Sequence, residues 1–546
     1  MRAMKMTNSI SITRLLMAPL MAFLLLGAAH AATPGITGPT FNLTAQQAFL
    51  NQPDGSAVYS WGYGCNGAPL GFAPAAITTA TCPTMQVPGP TLIVTEGQLV
   101  TVNLSNGLPT AAGNTSILFP GFQVTATGGQ AGLLTTEAVP GGTVSYSFTA
   151  TTPGTHAYYS GTQGDLQIEM GLYGAVIVLP ANIPSNCTSG LAAANLQAEA
   201  HWHEVDFRLA PAAYDHPKSC YDREYLFQWA EMDPNIHKQA LAQVSDPVRT
   251  AACAAGATTP GCSLNVPTEP YHPAYFLING RSMPDLMDAN YAPEYPHQPY
   301  NGNPHMHPGE LTLVRAIGQG RWQHPFHEHG NHVRILGRDG NLVLSQSDPN
   351  SLAGLLMFNT DTTPGLAFEG IFYWTGRGLN WDPYGHHAGA DAFGDPSATL
   401  PCTPDANGYN TSAPTAINYY EWCQDHNKPL EVTPLGDVAT GGPATLPDPN
   451  IFTNGAWYGG TPYLGPDATL RGFAPTCATP SPANSNANCT SLQPSNTQAN
   501  PANERGFAFM WHSHNEREIT TNNVFPGGML MMMLVDSREF VIDESN

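Results

Sequence analysis

The chain of 546 residues contains 19 Lys plus Arg against 41 Asp plus Glu, which gives a net charge of −22. A surface this acidic repels nucleic-acid phosphates and anionic lipid headgroups, so nucleic acid is excluded as a partner. With 54 Gly, 50 Pro and 11% charged residues, the composition favours β-strands and long loops over helices.

The N-terminus has the three parts of a secretory signal peptide. Basic residues precede the apolar run Leu15–Leu26, and the small-x-small sequence Ala29-His30-Ala31 follows it. The apolar run is too short to span a bilayer. We therefore predict a signal peptide at residues 1–31 and a secreted or periplasmic protein without a membrane span. The alternative is an uncleaved N-terminal anchor.

Ten cysteines fall into close pairs, which is typical of an oxidising compartment. The pairs are Cys65 and Cys82, Cys187 and Cys220, Cys253 and Cys262, Cys402 and Cys423, and Cys477 and Cys489. Spacing alone does not fix the connectivity. Five short-range disulfides would use every cysteine, and they would leave no thiolate to bind a metal.

Short strands separated by turns begin near Pro88. In the first half of the chain the alternating or apolar segments are Thr91–Val94, Leu99–Asn103, Thr143–Phe148, His156–Ser160 and Gly171–Leu179. The same pattern of short strands and turns recurs in the second half of the chain. Its segments are Tyr275–Gly280, Leu311–Val314, Val333–Leu336, Ile371–Trp374 and Gly527–Val535. Strands at this spacing, with Pro-Gly turns between them, predict a β-sandwich.

We interpret the chain as an all-β protein with two copies of one sandwich, at residues 34–182 and 195–546. The second copy carries a long insertion at about 378–505, rich in Pro, Asn, Gly and Thr. Loops of that length are uncommon, so the insertion is a candidate cover or assembly element. The segment Asp222–Lys238 is a candidate short helix.

Two histidine pairs are the sharpest local feature. His327 and His329 follow His324 in one segment, and His512 and His514 repeat the His-x-His spacing near the C-terminus. Side chains at i and i+2 of a strand share a face. If the two strands are neighbours, four imidazoles converge, and imidazole is a ligand for copper, zinc, iron and nickel. These five histidines are the predicted metal site; the alternative is a hydrogen-bonded set of core histidines.

The sequence His-Pro-Phe-His-Glu-His-Gly at 324–330 resembles the third copper motif of the multicopper oxidases, and Trp-His-Ser-His at 511–514 resembles the fourth. The surrounding framework agrees in Pro88–Thr91, Glu96-Gly97, Gly171–Gly174, Ile278–Gly280 and Pro308–Glu310. The resemblance covers most of 85–180, 270–375 and 506–535. It implies two cupredoxin-like (plastocyanin-like) Greek-key domains, copper as cofactor, electron transfer from a substrate to dioxygen and, by analogy alone, a homotrimer.

The chain departs from the family at positions that carry copper ligands. Those positions are occupied by Leu118, Pro120, Tyr159, Gly161, Ser513 and Glu518. The first four replace histidines of the trinuclear cluster, Ser513 replaces the thiolate of the electron-entry copper, and Glu518 replaces one of its histidines. Only a thiolate gives the electronic coupling of a blue-copper site. We therefore expect no four-electron reduction of dioxygen by the family's usual route.

What remains is a half-site of four histidines with His324 nearby. The resemblance then implies an exported, copper-dependent oxidoreductase with a reduced copper set, acting on a small molecule or a metal ion. Two alternatives remain open: a non-catalytic copper protein for storage, delivery or sequestration, and a structural or surface protein on a degenerate scaffold. Glu328, Glu516 and Glu518 are candidate extra ligands or hydrogen-bond acceptors for the ligands.

Two other histidine pairs have the His-x-His spacing of a metal-binding segment. His201 and His203 resemble the family's first motif but follow the first sandwich, so we interpret them as non-ligands. His305-Met306-His307 is a candidate auxiliary copper site, because Met and His both suit copper. Met529 and Met531–Met533 are expected in the core, with one of them a candidate axial ligand.

Overall fold

The computed structural model describes residues 33–375, 402–416, 418–420, 422–423, 460–463, 506–536, 538 and 541–544. The predicted signal peptide at 1–31 and most of the predicted insertion at 378–505 lie outside the described residues. Within this described part, no helix is both long and apolar enough to cross a membrane.

The N-terminal part of the chain folds into two sheets that face one core. Its strands are β1 (Gly35–Thr37), β2 (Thr40–Asn51), β3 (Ala57–Cys65), β4 (Phe72–Ala73), β5 (Leu92–Thr95), β6 (Leu99–Asn106), β7 (Thr125–Gly128), β8 (Gln130–Ala131), β9 (Thr136–Glu137), β10 (Thr143–Thr149), β11 (Gly154–Tyr159) and β12 (Tyr173–Leu179). One sheet has the order β11-β12-β5-β1-β4 and the other β3-β2-β6-β10-β7, while β8 and β9 pair separately.

The C-terminal part repeats this arrangement with a second pair of sheets. Its strands are β13 (Arg223–Met232), β14 (Tyr275–Ile278), β15 (His305–Met306), β16 (Leu311–Gly318), β17 (His324–Glu328), β18 (Val333–Arg338), β19 (Asn341–Leu342), β20 (Leu356–Met357), β21 (Asn359–Thr362), β22 (Ala367–Tyr373), β23 (Gly460–Tyr463), β24 (Gly506–Ser513) and β25 (Leu530–Asp536). One sheet has the order β14-β13-β16-β22-β18-β19, with β20 on β18. The other has the order β15-β25-β24-β17-β21, with β23 on β24.

Helices occupy the connections. They are α1 (Gly164–Gln167), α2 (Leu191–His201), α3 (Pro234–Val244) and α4 (Pro247–Ala254), with 3-10 turns at Thr110–Ala112, Ser185–Thr188 and Asp285–Met287. The N-terminus of α3 is defined by the side chain of Asp233, which accepts a hydrogen bond from the Asn235 backbone, and by proline at the first helical position. The segment Asp222–Lys238 is therefore mainly strand, and only its end is helical.

Alternation of side chains explains the core of the first pair of sheets. Val100, Val102 and Leu104 of β6 are buried, while the residues between them are partly exposed. They pack with Tyr146 and Phe148 of the neighbouring β10. Apolar alternation of this kind removes one face of each strand from water and stabilises the sandwich.

The core of the second pair of sheets is aromatic. Trp229 of β13 packs against Phe326 of β17, with 4.7 Å between ring centroids, and Trp511 of β24 contacts the same ring. Met531 and Met533 of β25 are also fully buried in this cluster. Met529 lies in the same cluster, so the predicted core location is confirmed for these three methionines, whereas Met532 is half-buried and lies outside the cluster.

The two pairs of sheets pack against each other. Val87 and Tyr173 from the first pair share an apolar cluster with Ala230 and Leu277 from the second. The mostly β fold is therefore confirmed. The division into two cupredoxin-like domains at 34–182 and 195–546, and the insertion, stay predictions.

Disulfides join four of the predicted cysteine pairs. They are Cys65–Cys82, Cys187–Cys220, Cys253–Cys262 and Cys402–Cys423. The described part of the chain contains no free cysteine. Cys477 and Cys489 lie outside that part. No thiolate among the described residues is therefore available to a metal.

Candidate metal centre

The candidate centre is built on two antiparallel neighbours, β17 and β24. In their register His327 lies opposite His512, and Glu328 lies opposite Trp511. Because side chains alternate between the faces of a strand, Phe326 and Trp511 enter the aromatic core while the two histidines share the other face. The apolar residues thus fix the register, and the register brings the histidines together.

Three imidazoles converge at this point. One nitrogen from each of His327, His329 and His512 lies within 4.8 Å of the others. Nε2 of His512 is 3.3 Å from Nε2 of His329. Two nitrogens that hold an ion at about 2.0–2.1 Å can lie at most about 4.2 Å apart. The closest pair therefore already fits one ion, and small ring rotations complete the set.

His514 stands at the solvent side of the cluster. Its ring centroid is 4.8 Å from that of His327 and 5.7 Å from that of His512. Its backbone N–H donates to the carbonyl of Pro325 at 2.8 Å, which ties the end of β24 to β17. The side chain is exposed, unlike those of His327 and His512. His514 is thus close to the three-histidine cluster, at its open edge.

Backbone carbonyls select the nitrogen that each imidazole offers. Nδ1 of His327 lies 2.6 Å from the carbonyl of Phe358, and Nδ1 of His512 lies 2.7 Å from the carbonyl of Ser513. A carbonyl only accepts, so Nδ1 carries the proton in both rings. Nε2 then bears the lone pair, the arrangement common in histidines that ligate metals.

Both rings are held in the neutral form that a metal ligand requires. Burial, together with the nearby His329, lowers the pKa of His327 to about 4. Burial also lowers the pKa of His512, reinforced by His329 and His514 and opposed by its hydrogen bond to Ser513. No proton therefore has to leave these two rings at neutral pH before a cation binds.

His324 does not join the three-histidine cluster. Its Nδ1 and Nε2 each donate to a carboxylate, Glu518 and Glu231, at 2.9 Å. Ser513 also donates to Glu518 through its hydroxyl. Burial lowers the pKa of His324, but the hydrogen bonds to Glu231 and Glu518 outweigh it and raise the pKa to about 9. An ion-paired histidinium thus occupies this position.

The three carboxylates considered as extra ligands have different environments. Glu518 is buried and bound to His324 and Ser513. Glu328 is buried on the core face of β17, burial raises its pKa, and neither carboxyl oxygen has a hydrogen-bond partner among the described residues. Glu516 is exposed. In this geometry the imidazoles, rather than carboxylates, form the donor set.

The candidate auxiliary site at His305 and His307 is occupied by contacts with carboxyl groups. His305 contacts Asp536 at 2.6 Å, and His307 contacts Glu204 at 2.7 Å. Arg223 bridges Glu204 to Glu310 in the same buried network. The two histidines are therefore part of a buried hydrogen-bonded network that links β15 to β13 and β25.

His201 and His203 lie at the end of α2 and are both exposed. The following residue, Glu204, is buried and forms an ion pair with Arg223. The sequence did not predict the roles of Glu204, which contacts His307, and Glu231, which contacts His324.

Each carboxyl group is far from its histidine in sequence, and no local motif indicates either contact.

Three of the positions for which the sequence predicts lost copper ligands, Leu118, Tyr159 and Gly161, are neighbours in the first pair of sheets. The backbone N–H of Leu118 donates to the carbonyl of Tyr159 at 2.7 Å. A Cβ at Gly161 would lie 2.8 Å from the Leu118 side chain. Leu118, Tyr159 and Gly161 therefore lie side by side, and none of them offers an imidazole.

One family model matches the N-terminal part of the chain. Residues 75–183 match the family model described as multicopper oxidase. This match confirms the resemblance to the multicopper oxidases over that segment, which contains neither histidine motif. No curated protein sequence matches the chain.

Similar solved structures are copper proteins. The multicopper oxidase mgLAC is 13% identical, with 91% of this chain and 86% of that chain covered and a TM-score of 0.43. The blue copper oxidase from Nitrosomonas europaea is 14% identical, with 91% and 85% covered and a TM-score of 0.43. A copper nitrite reductase from the same organism is 17% identical, with 62% and 84% covered and a TM-score of 0.35.

Proposed function

We propose that this chain, a relative of the multicopper oxidases, is an exported copper-binding protein that holds one copper ion on His327, His329 and His512, with His514 as a fourth ligand. The convergence of three imidazole nitrogens within 4.8 Å carries the proposal. An all-imidazole donor set suits copper, and copper(II) has the highest affinity among the divalent first-row metals for a given site of this kind.

The environment of His324 argues against the family's usual electron path. By the resemblance, Ser513 and Glu518, which lie beside His324, stand at positions that serve the family's electron-entry copper. In this structure Glu518 accepts hydrogen bonds from both His324 and Ser513. Glu231 accepts a hydrogen bond from the other ring nitrogen of His324. A copper ion could enter only by displacing two buried carboxylates from a histidinium, which is energetically costly.

A copper-dependent oxidoreductase with a reduced copper set is the second candidate function. The open edge of the cluster favours it, because His329 is only half-buried and His514 is exposed. Bound copper supplies one-electron redox chemistry, and an open coordination position lets a small molecule reach the ion. The protein residues position the ion and keep the rings neutral.

Export is supported by the disulfides. Four short-range bridges are typical of proteins that fold in an oxidising compartment. N-terminal sequencing of the mature protein checks this part of the proposal, since it should begin after Ala31. A mature protein that still carries residues 1–31 would contradict it.

Metal analysis and turnover assays test the two functions. Protein purified without added metal and then titrated with copper should bind one ion per chain tightly. Dioxygen consumption with electron donors should then separate a binding protein, with no turnover above free copper, from an oxidoreductase. A chain that binds no copper contradicts both functions.

A further inference from the structure

A separate cavity of about 420 Å³ lies away from the histidine cluster. It is bounded by the start of α2, by the chain around Cys220, and by the ends of β16 and β22. Its volume is within the range of about 300–1,000 Å³ that is common for small-molecule sites. It shares no residue with the candidate metal centre.

The walls of the cavity are mainly aromatic and aliphatic. Tyr221, Tyr373 and Tyr420 contribute rings, and Leu311 contributes an aliphatic surface. Tyr420 packs on Gly309, where an added Cβ would lie 1.9 Å from the ring. Glycine therefore permits this close approach, which places the tyrosine ring against the cavity. Aromatic faces bind apolar rings and attract cations.

One buried polar group at the cavity is incompletely bonded. Asn195 of α2 lines the cavity and is 2% exposed. The side-chain NH₂ of Asn195 donates a hydrogen bond to the carboxylate of Asp222. The side-chain oxygen, Oδ1, can only accept a hydrogen bond. Among the described residues this Oδ1 has no hydrogen-bond partner. A buried acceptor without a donor costs about 1–3 kcal/mol, so a ligand donor would be stabilising here.

The charges at the cavity favour a cation over an anion. The carboxylate of Asp222 is buried beside Asn195, where it also accepts from the Leu311 backbone. Lys218 is the cationic residue among the described lining residues, and its side chain is exposed to water. An anionic ligand would therefore meet two oxygen acceptors, whereas an ammonium donates to them.

We propose that this cavity binds an organic amine, whose apolar ring packs among Tyr221, Tyr373 and Tyr420 and whose ammonium donates to Oδ1 of Asn195 beside Asp222. The proposal is independent of copper. The amine is bound without reaction, and the metal centre keeps its ion when the cavity is filled.

Calorimetric titration of the full chain tests the charge preference. The probes are 2-naphthylmethylamine, the matched alcohol 2-naphthalenemethanol and the matched anion 2-naphthoate. The amine should bind with one site per chain and at least tenfold more tightly than either other probe. Equal affinity for amine and alcohol, preference for the anion, or no binding of the amine would overturn the proposal.

Variants locate the binding site. Asn195→Leu should weaken amine binding at least tenfold, and Ala192→Trp, which fills the cavity from a half-buried position of α2, should abolish it. The control Asn66→Leu changes an exposed asparagine after β3 and should leave affinity unchanged. Copper content should stay the same in all three. If Asn195→Leu does not fold, amine binding by Ala192→Trp tests the location of the site. A folded variant at either position that binds the amine as tightly as wild type would contradict the proposed binding site.

Discussion

Nδ1 of His324 lies 2.9 Å from Oε2 of Glu518, and both side chains are buried. Glu231 binds the other ring nitrogen, so the histidine is held between two carboxylates. This ion-paired group joins β13, β17 and the turn after β24. His324, Glu231 and Glu518 thus form a buried charged contact next to the remaining imidazoles.

The first prediction concerns the optical spectrum. Protein loaded with one copper per chain should lack the intense blue absorption of a copper–thiolate bond, because a serine and not a cysteine lies between His512 and His514 and the described cysteines are in disulfides. Absorption and electron paramagnetic resonance spectra check this directly. An intense blue band would mean that a cysteine binds the copper.

The second prediction concerns alkaline pH. The folded-state pKa of His324 is raised to about 9 from an ordinary value of 6.5, so its contribution to stability is fully present below pH 6.5 and is lost as pH rises through 9. The shift corresponds to stabilisation on the order of 3 kcal/mol. The free energy of unfolding, measured by denaturant titration from pH 6 to 10, should fall across that window.

A variant isolates this contribution. His324→Phe leaves two buried carboxylates without their cation, so it should lose about 3–5 kcal/mol at pH 7. The difference in unfolding free energy between wild type and variant should shrink towards pH 10. The exposed His203→Ala is the matched control and should follow wild type. A wild-type minus His324→Phe difference that does not change with pH would contradict the ion-pair assignment.

The third prediction concerns the cysteines. Thiol titration of the denatured, unreduced protein should find almost no free thiol, since four pairs are bonded and Cys477 and Cys489 are predicted to form the fifth. After reduction the same assay should find ten thiols. Two or more free thiols before reduction would show that the last pair is open.

Local sequence pattern predicted the strands and the histidine pairing well. The apolar alternation in β6 and the Phe326/His327 alternation in β17 are visible in sequence because a strand has a two-residue period. Each His-x-His segment places two imidazoles on one face of its strand, so the imidazoles converge once the two strands lie side by side. In the structure β17 and β24 are neighbours, and His327 lies opposite His512.

The partners of His324 could not be predicted in the same way. Glu231 lies 93 residues from His324 in sequence, on a strand of the other sheet, so their contact depends on how the two sheets pack. Helix α2 was also missed, because its few buried side chains give no clear apolar stripe. A local sequence pattern predicts which face of a strand a residue occupies. It does not predict which residues of two different sheets form a buried ion pair.

Copper stoichiometry of two double variants is the most direct test of the central claim. In His512→Ala with His514→Ala, two of the four imidazoles are removed and two from one segment remain, so tight copper binding should be lost while the aromatic core keeps the fold. The stabilisation of the protein by added copper should disappear with it, because a ligand that binds the native state raises its stability. The matched control, His201→Ala with His203→Ala, changes two exposed histidines and should still bind one copper per chain. Loss of copper in the control, with retention in the His512/His514 variant, would contradict the assigned metal centre.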